Sequence, residues 1–379
     1  MPFEFATATR IVFGAGTVRE VVPAARAMGR RALLVTGARP ARVTGLVAGF
    51  DVKPFAVAGE PTVELIRHGA EYAREAGCDL VIAIGGGSAL DAGKALAALL
   101  TNPGEPLDYL EVIGRGAALV EPPAPFLAVP TTAGTGSEVT RNAVLGSLEH
   151  RVKASLRSAS MLPRLAVVDP ELALSLPPAV TSSTGLDALT QLIEPYVSAR
   201  ANAMTDLFCV DGIRQAAVAL PGAWENGSDL EARTSMSWAA LLGGFALANA
   251  GLGAVHGFAA PVGGMFPAPH GAVCAAVLPH AMEVNVRALR ARAPGSQALR
   301  RYEEVARLLT GKPRATAGDG VGWVAEICRK LEIPPLRTYG VREEHIPDLV
   351  EKAARANSMK GNPITLTAAE LGEIAARAI

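Results

Sequence analysis

The 379-residue sequence has no surplus of charge of either sign, since 36 basic residues balance 36 acidic ones. Recognition of nucleic acid or of an anionic membrane surface leaves a basic footprint, and none is present. Cysteine is scarce too. Cys78, Cys209, Cys274 and Cys328 are scattered and form no CxxC pair, which excludes a dense disulfide framework and suits buried thiols in a reducing cytosol. The start, Met1-Pro2-Phe3-Glu4-Phe5, lacks the basic residues and apolar run of a secretory signal, so a cytoplasmic location is expected. Repeats and low-complexity tracts are missing as well.

One absence is local. From Thr234 to Met282 there is no Asp, Glu, Lys or Arg, a stretch longer than the roughly 20 residues that a membrane helix requires. Asn249, His256, His270, many glycines and Pro261, Pro267 and Pro269 interrupt it, and such residues break a spanning helix. A buried helical core is the expected reading, with a small molecule as partner and neither membrane nor nucleic acid.

What is present is organised around Val81 to Lys94, an apolar strand running into Gly85-Gly86-Gly87-Ser88 and then into a helical pattern. Consecutive glycines let a ligand approach the backbone, and the free N–H groups and dipole of a helix start favour a phosphate. Strand patterns at 32–36, 53–57, 80–84, 126–130 and 165–169 alternate with helical ones such as 62–76, which predicts a doubly wound parallel sheet. After Asp169-Pro170 the strand signals stop. Ser175-Leu176-Pro177-Pro178 reads as a connector, giving an α/β nucleotide-binding domain over 1–178 and an all-helical domain over 179–379.

Ligands of open α/β sheets bind beyond the carboxyl ends of the strands. The loop after Ile84 and the loop Thr131-Thr132-Ala133-Gly134-Thr135-Gly136-Ser137-Glu138 are therefore expected on one rim, although neither matches the GxGxxG fingerprint. In the helical half, Thr181 to Thr184 supply candidate N-caps for a helix on which Asp187 and Gln191, four apart, share one face with Glu194 nearby. His256 and His270 lie beside glycines in the charge-free stretch. Asp187, Gln191, His256 and His270 can together bind a divalent metal, or Asp187 can be a helix charge and each histidine a satisfied core residue.

The order and spacing of GGGSALDAGK at 85–94, PTTAGTGSEVT at 130–140, Lys153 ahead of Val-Val-Asp-Pro, GLDAL at 185–189 and GLGAVHG with PHG further on resemble the iron-containing (group III) alcohol dehydrogenase family. The resemblance covers nearly the whole chain. It implies a nicotinamide cofactor, NAD or NADP, and a divalent metal, iron or zinc, with substrate and metal in a cleft between two domains. It also implies that Gly86, Gly87 and Ser88 hold the pyrophosphate with Asp91 close by, that Thr131, Thr132 and Thr135 line the cofactor site, and that Lys153 reaches the ribose or nicotinamide end. The same resemblance gives Asp187, His256 and His270 as metal-binding and catalytic.

Three departures from the family pattern follow. Gln191 stands where a histidine ligand is expected, and Ala260 stands where many relatives carry another histidine. Gly37, at the end of the first strand pattern, replaces the carboxylate common in NAD-preferring relatives, so Arg39 or Arg42 can accept a 2′-phosphate. The expected activity is hydride transfer between nicotinamide and a small alcohol, aldehyde or ketone, in a homodimer or higher homo-oligomer. The alternatives are a metal-independent carbonyl reductase resembling maleylacetate reductases, a dehydroquinate-synthase-like lyase, and a nucleotide-binding protein without catalysis.

Overall fold

The computed structural model describes residues 2–379, which divide into two compact units. One comprises Thr7–Thr132 and Gly136–Leu174; the other comprises residues 2–6, Ala133–Thr135 and Ser175–Ile379.

In the first unit the strands are β1 (Ile11–Phe13), β2 (Arg31–Gly37), β3 (Asp51–Val57), β4 (Leu80–Gly85), β5 (Phe126–Pro130), β6 (Asn142–Ser147), β7 (Val152–Arg157) and β8 (Leu165–Val168). Six of them form one sheet in the order β1-β8-β5-β4-β2-β3, parallel at every pairing. Consecutive residues enter different cores, Leu33, Val35, Val81 and Ala83 on one side and Leu34, Ile82, Ile84 and Val129 on the other. That period of two, with both faces covered, is why β2, β4, β5 and β8 read as unbroken apolar runs.

All five expected strands are present. β1 adds an edge beside β8, and β6 and β7 form a separate antiparallel hairpin. The helices of this unit are α1 (Val21–Met28), α2 (Val63–Glu75), α3 (Gly87–Thr101) and the short α4 (Pro106–Tyr109). The Thr62 hydroxyl caps α2 by accepting from the Leu65 N–H, and Gly77 follows its end at φ +66°, a left-handed turn that glycine adopts without strain.

The second unit holds nine helices among the described residues: α5 (Pro178–Val197), α6 (Ala203–Glu225), α7 (Leu230–Ala250), α8 (Ala254–Met265), α9 (His270–Arg292), α10 (Gln297–Thr310), α11 (Ala317–Lys330), α12 (Ile346–Arg355) and α13 (Ala368–Ala378). Thr181 to Thr184 are not its N-caps. α5 starts a turn earlier at Pro178, whose fixed φ suits a first helical position, and the hydroxyls of Ser182, Ser183 and Thr184 bond back to the carbonyls of Ala179 or Val180.

The charge-free stretch forms most of α7, all of α8 and the start of α9. No single helix among the described residues is long and apolar enough to cross a membrane; α7 and α8 reach that length only as a pair bent by 98°. Pro261 lies inside α8, and Leu241, Phe245, Phe258 and Val262 are buried within the protein.

Candidate functional site

Two groups of chemistry-bearing residues form, one in each unit. In the α/β unit, β4 and β5 are adjacent, Gly85 is in register with Pro130, and the Thr131 N–H donates to the Gly85 carbonyl at 2.9 Å. Their two following loops therefore leave the same rim. A Cβ added at Gly85 would lie 2.6 Å from the Ala89 Cβ and 3.3 Å from the Gly37 nitrogen, so only glycine lets β4 turn into α3 beside the end of β2.

Gly86 is the N-cap of α3, and no side chain caps that end. Gly86, Gly87 and Ser88 are half-buried, as are Thr131 and Thr132, and a Cβ at Gly86 would come within 3.3 Å of Thr132 Cγ2. An uncapped helix start faced by hydroxyls fits a phosphate. At the neighbouring strand end, a Cβ at Gly37 would meet nothing within 4 Å, and Arg39 is exposed two residues on.

Two expected cofactor residues are committed elsewhere in the α/β unit. Asp91 accepts from the Ser137 hydroxyl at 2.5 Å and the Val144 N–H at 3.0 Å, and pairs with Lys94 Nζ at 3.2 Å. It fastens α3 to the hairpin and leaves little acceptor capacity for a ligand. Lys153 lies on β7 with its side chain buried and is ion-paired with Glu60. Thr135 falls in the short segment Ala133–Thr135 that belongs to the helical unit, where a Cβ at Gly134 would lie 2.8 Å from the Thr184 Cβ.

The helical unit brings Asp187, His256 and His270 together and adds Cys274, with the donor atoms of the four within 4.8 Å of one another. Asp187 lies on α5, His256 in the first turn of α8, His270 at the first position of α9 and Cys274 one turn later. Asp187 Oδ1 is 3.5 Å from His256 Nε2 and 3.7 Å from His270 Nε2; Cys274 Sγ is 3.8 and 3.7 Å from the same nitrogens. Asp187 is 1% exposed, the His256 side chain 6% and the His270 side chain 35%, so His270 marks the accessible side of the cluster.

Glu194, two turns after Asp187, orients this group. Its Oε1 accepts from the Val255 N–H and its Oε2 meets His256 Nδ1, both at 2.7 Å. A carboxylate only accepts, so Nδ1 carries a proton toward Glu194 and Nε2 faces Asp187 and Cys274. Burial opposes charge on the His270 ring, yet Cys274 and Asp187 beside it raise its pKa to about 9. The His256 pKa is likewise raised well above its ordinary value, against burial, by Cys274, Asp187 and Glu194. The cluster thus favours positive charge.

Two buried atoms there have no hydrogen-bond partner, Asp187 Oδ1 and Gln191 Oε1. Leaving such atoms unsatisfied costs about 1–3 kcal/mol each, and more for a charged group. A cation against Asp187 removes that cost, so the residues present fit a divalent metal. The Gln191 oxygen lies beside α7, 3.7 Å from the position of a Cβ added at Gly243. Cys274 was not among the residues singled out in the sequence, although its i, i+4 spacing from His270 on one helix is the signal that paired Asp187 with Gln191.

Residues 8–170 match the iron-containing alcohol dehydrogenase family, and residues 181–379 match the C-terminal region of the Fe-containing alcohol dehydrogenase family. The chain belongs to this family. It is 38% identical over 315 residues, 83% of its length and 72% of the relative's, to alcohol dehydrogenase 4 of Schizosaccharomyces pombe. A crystal structure of 1,3-propanediol oxidoreductase superposes with TM-score 0.91 and 32% identity over the whole of both chains. Sulfoacetaldehyde reductase of Bifidobacterium kashiwanohense, solved in complex with NAD+, superposes with TM-score 0.85 and 28% identity over 99% of this chain and 98% of that one. The family uses NAD(P) and a divalent metal, and the chain is an alcohol dehydrogenase-type oxidoreductase, which leaves the lyase and non-catalytic alternatives without support.

Proposed function

We propose that the protein transfers a hydride between a nicotinamide cofactor and a small alcohol, aldehyde or ketone, with a divalent metal at Asp187, His256 and His270 and Gln191 alongside. The observation that carries this reading is the buried, unpartnered Asp187 Oδ1 facing two imidazole nitrogens. A divalent cation held there supplies a Lewis acid for the substrate oxygen. The chain's own residues do the holding: Glu194 sets the His256 ring, and half-exposed His270 leaves the cluster open to a small molecule.

The cofactor's pyrophosphate is assigned to Gly86, Gly87 and Ser88 at the uncapped start of α3, with Thr131 and Thr132 beside it. Open space at Gly37 and the exposed Arg39 favour acceptance of a 2′-phosphate, so NADPH is expected to serve at least as well as NADH. The protein is proposed to be cytoplasmic and a homodimer or larger homo-oligomer, which light scattering of the purified chain measures directly.

A second reading, a metal-independent carbonyl reductase, is favoured by Gln191 and Ala260, neither of which is imidazole. One assay separates the two. Oxidation of NADPH or NADH with simple aldehydes is followed before and after chelator dialysis, then after zinc or iron(II) is restored. Loss and recovery of turnover is the expected result; full activity after metal removal would overturn the metal-dependent reading.

A further inference from the structure

Resting on the metal reading above, we infer that Cys274 supplies the fourth protein ligand, so that the site is one carboxylate, two imidazoles and one thiolate. Zinc or cobalt(II) is its preferred cation. Gln191 then lies outside the donor set, and the ligand missing from α5 is replaced by one on α9.

The distances carry this. Tetrahedral zinc sites have bonds of about 2.0–2.1 Å to nitrogen or oxygen and about 2.3 Å to sulfur, which put neighbouring donors about 3.3 Å apart for N and O and about 3.6 Å for N and S. The observed contacts are 3.5 and 3.7 Å from Asp187 Oδ1 to the two imidazole nitrogens, and 3.8 and 3.7 Å from Cys274 Sγ to the same two. All four edges lie within a few tenths of an ångström of that figure.

Sγ is nearly equidistant from two imidazole nitrogens, 3.8 Å from His256 and 3.7 Å from His270. Glu194 turns the His256 ring so that Nε2 is directed into the cluster, and Asp187 Oδ1 is buried without a hydrogen-bond partner. Three donors converging on one point want a cation there. When it binds, the S–H bond of Cys274 breaks, the sulfur–metal bond forms, and the proton leaves to solvent.

A thiolate changes which ion is held. Soft sulfur beside imidazole suits zinc and cobalt(II), while a glutamine carbonyl would add a neutral, hard oxygen better matched to magnesium or manganese. Replacement of histidine by Gln191 therefore does not leave the site short of a ligand.

Cobalt(II) loaded into the chelator-stripped protein reports the sulfur directly. The expected result is one cobalt per chain with thiolate-to-cobalt absorption in the near ultraviolet. That absorption should vanish in Cys274→Ser and persist in Gln191→Ala. Zinc affinity, measured by competition with a chromophoric chelator, should fall roughly a hundredfold or more in Cys274→Ser, since loss of an outer-shell partner alone costs about 10–100-fold.

One bound cobalt without thiolate absorption, or with affinity lost in Gln191→Ala and kept in Cys274→Ser, overturns this assignment and leaves the metal reading intact. Failure of the protein to take up any divalent ion overturns both.

Discussion

Each unit of the chain buries a titratable side chain deep among apolar neighbours, and the two are treated in opposite ways. In the α/β unit, Lys94 is 1% exposed, and its ammonium reaches the Ser137 carbonyl, the Thr140 hydroxyl and Asp91, one partner for each of its three protons. In the helical unit, Asp187 is equally buried, yet one of its oxygens has no donor. A buried charge whose valences are filled by the protein is part of the scaffold. One left open, with further donors aimed at the same point, is a place for something to bind.

That contrast predicts the largest loss at Lys94. Lys94→Ala should destabilise the protein by about 3–5 kcal/mol, the scale of breaking a buried pair, seen as a lower midpoint in chemical denaturation. If the midpoint is unchanged, the network around Asp91 is not structural.

Next is Glu138, buried close to Lys94, whose pKa burial raises from 4.5 to about 7 against the pull of Lys94. A carboxyl raised in the folded state stabilises below its unfolded pKa, and the contribution is lost as pH climbs through about 7. The native protein should therefore lose stability between roughly pH 4.5 and 7 from this group, and Glu138→Gln should flatten the profile, gaining up to about 3 kcal/mol at pH 8. Parallel profiles for the two proteins would remove Glu138 from the account.

Asp187→Asn should move stability least. With chelator present its midpoint should stay within about 1 kcal/mol of the parent, because removing a buried charged oxygen that has no hydrogen-bond partner offsets the charge lost beside the two imidazoles. Metal affinity should nonetheless drop by about a hundredfold or more. A large destabilisation without metal would make Asp187 a scaffold residue like Lys94.

The fold was legible wherever burial was symmetric. β2, β4, β5 and β8 are covered on both faces and stand out as apolar runs, and α2 announces itself with Thr62 at one end and Gly77 beyond the other. β6 and β7 bury alternate residues only, and Asn142, Gly146, Ser147, Lys153 and Arg157 dilute their pattern below notice. β1 is three residues long and carries almost no signal. The start of α5 was misplaced because four hydroxyl residues looked like caps, whereas Pro177-Pro178 had already set the first turn.

The candidate site was legible to the extent that its residues came in family-like motifs. Asp187, His256 and His270 do converge, across three helices that sequence spacing alone could not bring together. Cys274 escaped because a lone cysteine in an alanine-rich helix reads as core packing, and only its neighbours in space give it a chemical meaning. Asp91 and Lys153 sit in those same motifs, but their partners Ser137, Val144 and Glu60 are invisible until the hairpin is built.

α9 begins at His270 behind Pro269 with no side-chain cap, the kind of helix end that frays. His270 and Cys274 are one turn apart on it, so an ion gripped by both clamps the first turn as a crosslink would. Cation loading would then act as a fastener for the helix as well as an aid to chemistry, slowing amide exchange over the first turns of α9 while the opposite end of the same helix keeps its own rhythm.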